Sequence, residues 1–192
     1  MRWPALLALL LFSVGSAAAQ DPWEGWFGPP SDGIYGVRFG MDRTTVDALF
    51  QKMGLRQATA RPGTMRHVGK LEGHSAEVVT EFEEDLYSGV GGRLYRIRIT
   101  WPDLRLRAGK ALQWFDRWDR DYAERYGPPR AQRDPGRSNL VNAVASYLRL
   151  YQGTQMQAIL ELKAPKPGRL DLILLLDSPQ LHPALPGYGS RR

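Results

Sequence analysis

Five arginines fall between residues 93 and 107, at Arg93, Arg96, Arg98, Arg105 and Arg107. Trp101 stands among them and Trp114 follows. Guanidinium groups grip carboxylates and phosphates through paired hydrogen bonds, and they stack on aromatic rings. Beside tryptophan, such a set would hold an anionic glycan, a lipid head group or an acidic protein surface. The expected binding residues are Arg96, Arg98, Trp101, Arg105, Arg107 and Trp114. A competing reading is structural. Glu77 and Glu81 sit on the preceding strand and Glu83 just after it, and cross-strand pairing with them would neutralise the same arginines.

Other chemistry finds less material. The sequence has no Gly-x-Ser-x-Gly elbow, no Walker-type loop and no His-Glu-x-x-His. The glycine cluster Ser88-Gly89-Val90-Gly91-Gly92 runs into a strand rather than a helix, so it lacks the aligned N–H groups of a phosphate loop. His67 and His74 flank a turn that contains Glu72, a possible ion-binding trio in principle. Lone histidines beside turns are more often structural, and His182 lies in the tail. Asp116, Asp119, Asp121 and Glu124 alternate with Arg117, Arg120 and Arg125 at i,i+4 spacing, the pattern of a solvated, salt-laced helix face. No catalytic residue, metal or cofactor is expected.

These residues need a frame. Ile34 to Phe39 reads as a short strand. Asp42 caps a helix over about 43–53, whose stripe is Val46, Leu49, Phe50 and Met53, and Gly54 ends it. Met65 to Gly69 is a weak strand, and Ser75 to Phe82 alternates well. Arg93 to Trp101 is the clearest strand, with Tyr95, Ile97, Ile99 and Trp101 on one side and Arg96 and Arg98 on the other. If Val78, Thr80 and Phe82 share a buried face with Ile99, Ile97 and Tyr95, paired residue numbers must sum to an odd value near 177, which sets Glu81 beside Arg96. A second helix over about 108–126 should bury Ala111, Phe115, Trp118 and Tyr122 and turn Trp114, Arg117 and Asp121 to solvent. Gly127-Pro128-Pro129 stops it. Residues 130–139 read as a polar loop, and 141–151, 155–163 and 169–177 as strands.

Helices interrupt the strands only twice, so the fold class is α+β: an antiparallel sheet with two helices on one face, in two tandem helix-plus-three-strand units at about 34–101 and 102–179. Residues 1–19 read as a signal peptide, with Arg2, an apolar run from Ala5 to Phe12, and Ala17-Ala18-Ala19 before cleavage between Ala19 and Gln20. Residues 20–33 form a Pro/Gly-rich lead-in carrying Trp23, Trp26 and Phe27, expected to dock on the domain, and 180–192 form a tail. The 192 residues are 43% hydrophobic and carry a net charge of +6 with no cysteine. That composition excludes a disulfide scaffold, a thiolate zinc site and a cysteine nucleophile.

The run Gly36-Val37-Arg38-Phe39-Gly40-Met41-Asp42 before a helix, a second helix closing on Tyr126-Gly127-Pro128, and then strand hairpins resemble a class of small exported bacterial proteins. The layout over 34–177 is similar to the β-lactamase-inhibitor-protein fold and to the small lipoprotein of the outer-membrane assembly machine. The chain departs from that lipoprotein in having no cysteine to carry a lipid. The resemblance implies docking onto other proteins. The expectation is a periplasmic or secreted binding module without catalysis. Its partner would be a protein or an anionic envelope component, with no nucleic acid and no membrane span after signal removal. The alternatives are a hydrolase of an envelope polymer, which needs convergent acids in a pocket, and a carrier of an anionic amphiphile, which needs an apolar groove.

Overall fold

The computed structural model describes residues 33–83, 92–104, 106–153 and 156–181. The fold is α+β, with antiparallel sheets and both long helices on one face of the larger one. A hairpin, β1 (Gly33–Ile34) and β2 (Val37–Arg38), leads into α1 (Arg43–Lys52). Four strands follow as a meander: β3 (Arg56–Arg61), β4 (Thr64–Leu71), β5 (His74–Glu83) and β6 (Arg93–Trp101). Then come α2 (Ala108–Tyr126), β7 (Ala131–Arg133), a short α3 (Arg137–Val141), β8 (Tyr147–Gln152), β9 (Gln157–Lys166) and β10 (Arg169–Asp177). The large sheet has the order β3-β4-β5-β6-β10-β9-β8-β7. Each helix is thus followed by four sheet strands, not three, and the two sets meet through their last members, β6 and β10.

The register agrees with the alternation. Val78 pairs with Ile99, Thr80 with Ile97 and Glu81 with Arg96. A bulge then shifts the ladder, so Phe82 faces Leu94. Leu94 is therefore the buried residue, while the Tyr95 hydroxyl donates to Glu81 on the opposite face, contrary to the expected burial of Tyr95. On the inner face, Ile97 and Ile99 continue into Leu176 and Leu174 of β10, which oppose Ala158 and Leu160 of β9. All six are buried. The α2 side chains Ala111, Phe115, Trp118 and Tyr122 close this layer.

Helix α1 is built as its sequence specifies. Asp42 accepts from the Thr45 amide at 2.9 Å, and Leu55 and Gly54 donate back to Phe50 and Gln51 at 3.0 and 2.9 Å. Elsewhere the chain differs from expectation. Residues 34–39 are not one strand, because Tyr35 and Gly36 have φ of 55° and 77° and form a tight turn. The edge strand β3 has no apolar alternation to reveal it, since all six of its residues are exposed. The span 130–151 is β7, α3 and β8 rather than a loop and a long strand. Leu140 is buried in α3, and Ala143, with φ of 58°, turns the chain into β8. Trp23, Trp26 and Phe27 and residues 182–192 lie outside the described residues, as does most of the 83–92 loop.

Phe115 is fully buried and lies under the Arg149 guanidinium at 5.3 Å, whereas Arg120 is exposed. Phe115→Ala is expected to destabilise the fold by about 3–5 kcal/mol, and Arg120→Ala by under about 0.5 kcal/mol. Urea unfolding of both variants checks the assignment of the helix faces.

Candidate functional site

The β4–β5 connection is a two-residue turn in which Glu72 and Gly73 have φ of 52° and 79°. The turn aims the Glu72 carboxylate under the rest of the molecule. Its side chain is only 7% exposed. It accepts from the Tyr35 hydroxyl at 2.9 Å, from Trp114 Nε1 at 3.2 Å and from the Arg117 guanidinium. Burial, and then the adjacent Glu72 carboxylate, push the Tyr35 phenol far above its ordinary pKa. Trp114 is therefore not the solvent-facing residue that the helix period suggests, while Arg117, its side chain still 43% exposed, is turned partly to solvent and partly to Glu72. Both reach over the end of the sheet to a buried acid.

Trp114 also leans on Trp101 and on His74, with ring centroids 5.3 and 4.7 Å away. Trp101 is fully buried and donates to the Leu71 carbonyl at 3.4 Å. Although it ends its strand, it does not reach the rim. Beyond this aromatic wall a cleft of about 530 Å³ opens, lined by Lys70, Gly73, His74, Ser75, Pro102, Asp103, Leu104 and Arg169. The segment after β6 is fastened to the start of β10. Asp103 donates its amide to Asp171 at 2.8 Å, and Leu104 donates to the Leu170 carbonyl at 2.7 Å. Arg169 lies 3.9 Å from Asp103 and 3.7 Å from Asp171, close enough for attraction but beyond hydrogen-bond reach. Lys70 and Arg169 thus bring two cations to the cleft, and His74 adds an imidazole backed by an indole. His74 and Ser75, neighbours on β5, project to opposite faces of the sheet. Neither is hydrogen-bonded to Asp103.

The six residues read from the sequence do not form one site. Arg96 and Arg98 stand on the open face of the sheet. Arg96 is held between Glu81 at 3.1 Å and Asp177 at 3.3 Å, so the structural reading applies to it. Arg98 is exposed there, between Val79 and Leu175. Trp101 is core. Trp114 backs the cleft through His74. Arg107 is exposed immediately before α2, three residues beyond Leu104. Arg105 lies outside the described residues. Sequence reasoning missed Lys70, Asp103 and Arg169, which are far apart along the chain and carry no motif. Their one signal is position, at or just beyond strand ends on the same end of the sheet, with β5 and β6 between β4 and β10. Among the described residues no group of three His, Asp or Glu is placed to hold a metal ion, and His67 is buried against Asp47 at 2.7 Å, away from His74.

No family model, no curated protein and no solved structure matches this chain.

Two outcomes follow from this geometry. Removing Glu72 by Glu72→Ala strands three donors and is expected to cost about 3–5 kcal/mol, while Arg117→Ala should cost about 1–3 kcal/mol because it leaves a buried carboxylate short of a partner. Chemical unfolding followed by tryptophan fluorescence measures both. The second outcome concerns alkali. Burial, and then the bond to Glu81, push Tyr95 up to about 12. A raised pKa means that the unfolded chain loses the proton first. The contribution of Tyr95 is complete below about pH 10 and is lost as pH rises toward 12. Tyr95→Phe should flatten that fall in Tm between pH 10 and 12.

Proposed function

We propose that this protein is an exported binding module with no reaction of its own, holding an anionic group of a protein or envelope component at the cleft. One observation carries the reading: Lys70, His74 and Arg169 line one cleft of about 530 Å³ together with Asp103, and Asp171 lies 3.7 Å from Arg169. A cation pair on strand ends is better placed for binding than one on free loops, since the backbone loses little freedom when a ligand arrives. Arg107 and Lys110 at the start of α2 add positive charge where the helix dipole is also positive. Asp103 gives the site an acceptor for hydroxyl groups, which suits an acidic sugar better than a bare ion. The leader-like residues 1–19 and the resemblance to exported docking proteins support the same reading. No helix among the described residues is long and apolar enough to cross a membrane.

Inorganic phosphate, citrate and glucuronate are suitable probes, with nuclear magnetic resonance following the His74 imidazole and the Trp114 indole. Saturable shifts are expected, strongest for glucuronate. Lys70→Gln with Arg169→Gln should weaken binding roughly tenfold or more, through loss of two charge-assisted contacts, and leave Tm nearly unchanged. Shifts that do not saturate, equal binding by the double variant, or turnover of an envelope polymer would overturn the reading. Expression of the whole chain in a bacterial host tests export separately: the protein recovered outside the inner membrane should begin at Gln20 by intact mass.

A further inference from the structure

The two edges of the large sheet are unlike each other. β7 is three residues long, and the arginines beside it fold back on their own chain. Arg130 donates to Gln152 at 3.2 Å, and Arg133 donates to the Ser146 carbonyl at 2.9 Å. β3 is six residues long and exposed throughout. Its pairing sets Arg56 opposite Val68, Thr59 opposite Arg66 and Arg61 opposite Thr64. All of these residues lie on the open face of the sheet. Neither Arg56 nor Arg61 has an acceptor for its guanidinium among the described residues. The strand carries no acid, and Ala58, Thr59 and Ala60 leave its flank low. Arg43 adds charge at one end, donating to the Arg61 carbonyl at 3.0 Å. Arg66 on the next strand is already matched by Glu77 at 2.7 Å.

An edge strand presents a row of unpaired N–H and C=O groups, and an extended segment of another chain can complete it. The charges decide which segment. A second copy pairing antiparallel through β3 would set Arg56 against Arg61 at both ends, and like charges facing each other are unfavourable. An acidic strand gains at both. The bulge at Ala58 takes one residue out of the ladder. Arg56 and Arg61 therefore share a face and correspond to Val68 and Thr64, four residues apart on β4. A partner strand would match them with carboxylates at positions k and k+4, about 13 Å apart. The bulge also twists the strand, which disfavours flat, uncharged partners.

We propose that β3 accepts an extended acidic segment of a partner protein as a ninth strand, with carboxylates four residues apart on Arg56 and Arg61. The inference is independent of the cleft. A blocked heptapeptide, Val-Glu-Val-Thr-Val-Glu-Val, is the probe, with a lysine-for-glutamate version as its control. Titration of the whole protein should shift and protect the backbone amides of residues 56–61, and affinity should fall as salt is raised. Arg56→Glu with Arg61→Glu should lower affinity at least roughly tenfold with Tm unchanged, since both side chains are exposed. Lys70→Gln with Arg169→Gln should bind the peptide normally, so failure here and failure at the cleft are distinguishable. Equal binding of the lysine peptide, undiminished binding by the Arg56/Arg61 double variant, shifts confined to the cleft, or self-association of the protein through β3 would overturn the proposal.

Discussion

A carboxylate taken out of water must have its acceptor sites filled or the fold loses several kcal/mol. Glu72 is that carboxylate here. Its three donors come from the amino-terminal hairpin and from two successive turns of α2, and the acid itself rides on the turn between β4 and β5. One charge therefore joins three pieces of chain that have no backbone ladder in common. The tilt of Trp114 and the wall behind the cleft follow from satisfying it, and it adds to the apolar face of α2 in holding that helix at the sheet end. A left-handed backbone at Glu72 is a cost accepted for this aim, because the turn could be made more easily with asparagine or glycine.

The two halves of the sheet repeat a second device. In the first, Asp47 of α1 meets His67 on the inner face of β4 at 2.7 Å. In the second, Asp119 of α2 meets Arg149 on the inner face of β8 at 2.9 Å. Each pair links a helix to the second strand that follows it. Tyr151 strengthens the latter link by donating to the backbone carbonyl and the side chain of Asp119. Apolar contact alone would let a helix slide along a flat strand surface. A directed polar bond at one point removes that freedom.

Much of this was legible in the sequence where one face of an element is buried. The strand period placed Val78 against Ile99, and capping residues bounded α1 to within one residue. Where burial is absent, the period vanishes. β3 is exposed on both faces and left no pattern. α3 is too short to show one, though Leu140 anchors it. The fate of Arg117 was hidden for a different reason. Helix spacing tells which way a residue leaves its own axis, not that a buried acid 45 residues earlier waits there. The cleft was illegible on the same ground, since Lys70, Asp103 and Arg169 become neighbours only when β6 and β10 pair.

That pairing has a kinetic side. Within each half, every strand meets its sequence neighbour, so those contacts close short loops and form quickly. The joint between Arg96 and Asp177 closes over 81 residues. Loop-closure entropy delays such a contact until the local meanders exist to reward it. In the folded sheet that joint also brings Ile97 and Ile99 against Leu176 and Leu174, so it closes the apolar layer as well as the ladder. The joint that is entropically most costly to close is thus the one that assembles the cleft.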